Sequence, residues 1–105
     1  MRVTLADAMA RLPLAPTAKW PLGVWDVEVL RRGAVSLILF APKETDFQTP
    51  HEQDELYVVI SGSGVLAIEG EEEPFGPGDV LFVGARVAHR FSEFTPDFKA
   101  WVVFF

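Results

Sequence analysis

From Trp25 onward the chain is a succession of short apolar runs, each stopped within a few residues by glycine, proline or a charged turn. No run is long enough to be a core helix, and β-branched and aromatic residues dominate. Trp25 to Leu30 and Ala34 to Phe40 flank Arg31-Arg32-Gly33, which reads as a hairpin, and Ala41-Pro42-Lys43 ends the second run. Residues 43–54 are polar and contain Pro50, so they read as a loop or an irregular entry to the next strand. Strands are then predicted at Leu56 to Ile60, Val65 to Ile68, Asp79 to Val83, Val87 to Ser92 and Lys99 to Phe105. Between them lie the turn Ser61-Gly62-Ser63-Gly64, the turn Glu69-Gly70-Glu71 and the Pro/Gly corner from Pro74 to Gly78. Many short strands with closely spaced turns imply an all-β sandwich or closed barrel. The acidic stretch Glu69 to Glu73 reads as a solvated hairpin tip.

Only the N-terminal segment departs from this pattern. Thr4 to Leu12 reads as one short helix, with Thr4 as cap, Asp7 three residues on, and Leu5, Ala8, Met9 and Leu12 on one face. Pro13 and Pro16 end it. The 105 residues fit a single domain, divided here into a helix and arm over 1–20 and a barrel over 25–105. With no cysteine, disulfides, thiolate nucleophiles and Cys-ligated zinc are excluded. A formal charge of −6 with no basic cluster argues against nucleic acid as a partner. No apolar run reaches the roughly 18 residues of a membrane span, and residues 1–16 make a poor signal peptide, so a cytoplasmic location is expected.

The chain has two histidines, and both fall at informative places. His51 opens HEQDELYVVISGSG, four residues before Glu55, and Gly62 follows Glu55 by seven. His89 closes PGDVLFVGARVAH, eleven positions after Gly78. These two segments resemble the two sequence motifs of the cupin family, and the likeness covers roughly residues 34–105. It is closest to small single-domain cupins of the conserved-barrel type, and it implies a jelly-roll barrel. The family's usual metal set is three His and one Glu. Thr49 stands where the leading His would be, Gly84 and Arg86 replace a Pro and a Gly, and Glu93 replaces an Asn. The resemblance therefore carries over only His51, Glu55 and His89 as metal ligands, with Gln53 as the nearest spare oxygen ligand or supporting donor.

Two imidazoles and one carboxylate suit a single divalent transition metal, Fe, Mn, Ni, Cu or Zn. In a regular strand, residues four apart are separated by about 13 Å. His51 and Glu55 can share an ion only if the chain bends between them, which Pro50 and Glu52-Gln53-Asp54 permit. Alternation from Glu55 points Tyr57 and Val59 inward, and from His89 it points Phe91 inward. Phe40 and Trp101 are further candidates for the pocket wall. Arg86 and Arg90 flank His89, but alternation turns Arg90 away from it.

Fold alone does not fix function. The sequence is compatible with a metal-dependent oxygenase or isomerase acting on a small organic molecule. The alternatives are a non-catalytic module that binds or senses a small ligand and a barrel whose remaining ligands are only structural. The C-terminal run Ala100-Trp101-Val102-Val103-Phe104-Phe105 is apolar on both faces. A barrel covers one face, so a homodimer is expected to cover the other.

Overall fold

The protein is described from a computed structural model covering residues 1–46 and 49–105. A short helix, α1 (Leu5–Ala10), precedes eight strands. These are β1 (Asp26–Arg32), β2 (Val35–Phe40), β3 (Glu55–Ser61), β4 (Gly64–Ile68), β5 (Glu71–Phe75), β6 (Val80–Val83), β7 (His89–Ser92) and β8 (Lys99–Phe104). They form a five-stranded sheet in the order β1-β2-β8-β3-β6 and a three-stranded sheet in the order β5-β4-β7. Every pairing is antiparallel.

Inner-face residues of both sheets share one core. Phe40, Tyr57, Val59, Val83, Ala100, Val102 and Phe104 from the large sheet meet Leu66, Phe75 and Phe91 from the small one. This is the alternation expected of strands with one face packed against a second sheet. The exposed area, 6109 Å², is close to the roughly 5,900 Å² expected for a folded chain of this mass.

Glu69 to Glu73 is corrected by the structure. Only Glu69-Gly70 forms the turn; both have positive φ. Glu71 to Glu73 lie in β5, paired with Leu66, Ala67 and Ile68 of β4. Strand β5 is an edge, and its exposed carboxylates are a recognised guard against edge-to-edge association.

The helix forms as its cap predicts, with the Asp7 N–H donating to Thr4 Oγ1 at 3.1 Å. Six residues cannot hold a helix alone. Instead Ala8 is buried with Val27 and Leu39 on the outer face of the large sheet, and Leu5, Met9, Leu12, Ile60 and Trp101 pack around them. Trp101 is thereby corrected: it does not line the interior. Strand β8 turns Ala100, Val102 and Phe104 inward, so Trp101 faces the helix. Among the described residues, no helix is long and apolar enough to cross a membrane.

Candidate metal centre

The two sheets and one loop each contribute a candidate ligand. Glu55 opens β3 and sits between Phe104 of β8 and Val83 of β6, which hold its backbone from both sides. His89 opens β7 on the opposite sheet, level with Ile68 of β4. His51 lies on the loop before β3, and the chain bends at Glu52-Gln53. That bend is the one the spacing requires. It is pinned by backbone bonds from Arg86 N–H to the His51 carbonyl and between Asp54 and Phe105. The Ala85 N–H also donates to the Asp54 carboxylate, at 2.8 Å. The segment Gly84 to Arg86 thus braces the loop with its backbone, although it lacks the Pro and Gly of the family motif.

The side chains converge. His51 Nε2 is 3.8 Å from Glu55 Oε1, and His89 Nε2 is 3.5 Å from Glu55 Oε2. One ligand atom from each of the three lies within 4.8 Å of the others. Donors about 2.1 Å from a tetrahedral ion stand roughly 3.4 Å apart, so only small side-chain adjustments separate this cluster from coordination. The side chains of Glu55 and His89 are 1% and 0% exposed; that of His51 is 35% exposed.

Proton bookkeeping also fits an ion. The Tyr57 hydroxyl donates to Glu55 Oε2 at 2.5 Å. His89 Nδ1 is 3.0 Å from the Val87 carbonyl, which can only accept, so Nδ1 carries a proton and Nε2 is the nitrogen turned toward Glu55. Nε2 then meets the Tyr57 oxygen at 3.2 Å and the Glu55 carboxylate. The His89 Nε2, the Tyr57 oxygen and the Glu55 carboxylate thus face one another. A cation between them satisfies all three, and the Val87 carbonyl fixes the imidazole as partners behind a metal-bound His do.

The remaining candidates are placed as follows. Tyr57 belongs to the cluster itself. The Gln53 amide nitrogen is engaged by the Ala34 carbonyl on the β1–β2 turn at 2.5 Å, which draws it away from the ligand cluster. Val59 and Phe91 sit in the packed core, and Phe91 stacks edge-on to Tyr57 with ring centroids 5.0 Å apart. Phe40 spans core and cavity. Arg90 is exposed, and exposed Arg86 lies 3.9 Å from Glu52.

Beside His51 opens a cavity of about 180 Å³. Ile38, Phe40, Val102 and Phe104 give it an apolar wall, and the Phe104 ring lies 4.9 Å from that of His51. Asp26, Lys19 and Thr49 add polar groups. Burial pushes the Asp26 carboxyl above the usual carboxylate range, partly opposed by the charges of His51 and Lys19. Sequence reasoning missed Asp26 and Lys19. The alternation of Asp26 and Glu28 with Val27 and Val29 reads as acids turned to water, and only the pairing of Asp26 with inward-facing Phe40 brings it to the cavity, so nothing in the sequence linked β1 to the histidines.

Comparison with known proteins agrees with this architecture. The cupin domain profile matches residues 36–103. An uncharacterised protein of Streptomyces coelicolor is 38% identical over 80 residues, covering 74% of this chain and 76% of that one. Among solved structures, a cupin superfamily protein from Desulfitobacterium hafniense is similar at a TM-score of 0.63 and 23% identity, over 75% of this chain and 73% of the other. A putative mannose-6-phosphate isomerase from Ralstonia eutropha aligns over 99% of this chain and 96% of its own, at a TM-score of 0.63 and 23% identity. At such identities the two structures speak for the fold alone. Two antiparallel sheets enclosing a histidine–glutamate cluster, together with a profile match over most of the chain, make this protein a member of the cupin family.

Proposed function

We propose that the chain is a metal-binding cupin whose ion, held by His51, Glu55 and His89, serves a small organic substrate admitted through the adjoining cavity. The observation that carries this reading is the convergence of those three ligand atoms, one of whose residues, His51, also lines the adjoining cavity. Three protein ligands leave coordination positions open, as catalytic rather than structural sites do. A bound Fe, Mn, Ni, Cu or Zn supplies Lewis-acid or redox chemistry there. Tyr57 holds Glu55 in place and keeps a proton at its phenolic oxygen, between Glu55 and His89. The apolar wall offers the hydrocarbon part of a substrate a surface beside His51. With no cysteine in the chain and no third histidine, metal-driven oxidation or isomerisation suits the site better than nucleophilic catalysis.

Elemental analysis of protein purified without chelator tests this. Wild type is expected to carry near-stoichiometric divalent metal, and His51→Ala, Glu55→Ala and His89→Ala to lose most of it while remaining folded. Equal trace metal in all four would overturn the reading. Oxygen uptake with candidate substrates then separates an oxygenase from an isomerase, and absence of any turnover by the loaded protein favours a binding module.

The homodimer belongs to the same reading. On the outer face, the pairing register aligns Phe82, Leu56, Val103 and Leu37 in one apolar row across the large sheet. Phe82 and Val80 are more than half exposed, beyond the reach of the helix cluster. A second copy covers them in this proposal. Sedimentation velocity is expected to give a dimer, reduced to monomer by Phe82→Lys; a wild-type monomer at all concentrations contradicts it.

A further inference from the structure

Asp26 is a half-buried acid that the metal site does not use. It projects from β1 into the cavity beside His51. Among the described residues, no side chain or backbone group donates a hydrogen bond to its carboxylate and no cation pairs with it. A ligand that enters this cavity, between Asp26 and the apolar wall of Ile38, Phe40, Val102 and Phe104, covers that carboxylate, and one that brings an O–H or N–H there avoids leaving it without a donor. At the mouth, exposed Lys19 holds the opposite charge. Its Nζ lies 3.4 Å from Thr49 Oγ1 and 5.7 Å from the Trp20 ring centroid, and an ammonium has further donors to offer.

We propose that Asp26 and Lys19 read the polar head of the substrate, and that the cavity takes a small carboxylate carrying a hydroxyl or amino group on a compact apolar body. The carboxylate meets Lys19 and Thr49, the donor meets Asp26, and the hydrocarbon lies against the apolar wall. The volume, about 180 Å³, suits such a molecule, since a cavity of roughly 150 Å³ already accommodates benzene. A second carboxylate in place of the donor would face Asp26 and be repelled. This inference rests on the cavity's being the substrate site, but not on the metal's being bound.

Titration calorimetry tests it with three acids of one skeleton: 2-hydroxy-3-methylbutanoate, valine and 3-methylbutanoate. Each is added to metal-loaded and to chelator-treated protein, whose metal content is measured in parallel. The wild type is expected to bind the hydroxy acid or the amino acid at least about tenfold tighter than 3-methylbutanoate, and which of the two wins identifies the donor. Asp26→Leu should erase that preference while leaving 3-methylbutanoate unchanged. Lys19→Met should weaken all three acids by about tenfold without altering metal content. Asp26→Asn replaces the leucine variant should the latter fail to fold, and should narrow the preference. A preference that survives at Asp26→Leu, acid binding indifferent to Lys19→Met, or no binding of any acid below about 10 mM overturns the proposal. Absence of metal from a protein that still discriminates through Asp26 overturns the metal centre instead.

Discussion

The two ends of the barrel are built from the same strands and differ in what fills them. At one end, where β3 and β7 begin and β8 finishes, Glu55, His89 and His51 meet beside an open cavity. At the other, where β3 ends and β8 begins, the interior is closed by rings. Phe98 lies 4.9 Å from Phe75, 5.2 Å from Phe91 and 5.7 Å from Phe94, centroid to centroid. The β3–β4 turn seals this end further. Gly62 has φ +79°, and a Cβ there would stand 2.5 Å from Phe98 Cα. A buried carboxylate and two imidazoles can be tolerated at the first end because the second supplies dense apolar packing. Ring packing is concentrated at one end and the polar cluster at the other.

The comparison is broken most severely at the closed end. Phe98→Ala is expected to destabilise the protein by about 3–5 kcal/mol in urea unfolding, with metal content per folded molecule unchanged. If metal is lost in step with packing, the two ends are not separable. A smaller effect is expected at the boundary. Tyr57→Phe removes the hydroxyl that serves both Glu55 and His89. Metal affinity should fall about tenfold or more and stability by about 1 kcal/mol, read by metal titration and unfolding. Unchanged metal affinity would make Tyr57 a packing residue only.

The smallest effect concerns Asp26, whose folded-state pKa is raised by burial. The folded protein therefore holds this proton more tightly than the unfolded chain does. Stability from this group is present below the ordinary value of 3.8 and is lost as pH rises through the raised one. Asp26→Asn should raise the melting temperature of metal-free protein near neutral pH, with the gain shrinking as the medium is acidified. A gain independent of pH would assign the effect to something other than ionisation.

Much of this was legible in advance, for identifiable reasons. The strands announce themselves by β-branched and aromatic runs between Gly and Pro turns. The Thr4 cap marks the helix, and the offset of His51 from Glu55 implies the bend that the structure contains. Glu71 to Glu73 misled because three adjacent carboxylates look like a loop, whereas an edge strand can leave them all in water. Trp101 misled because β8 is apolar on both faces, and period-two alternation gives two equivalent assignments until a neighbour breaks the tie.

The order of the residues thus determined a rolled β sheet, its turns and the three residues of the histidine–glutamate cluster. These follow from backbone preferences and side-chain chemistry that act over a few positions. Tertiary structure alone decided which face of β8 turns inward, how the small helix covers the other, and that Lys19 and Asp26 share a cavity with His51. Those facts depend on pairings such as β2 with β8, between segments far apart in the chain. No local pattern encodes such pairings, because they are selected by how the whole set of faces can be buried at once.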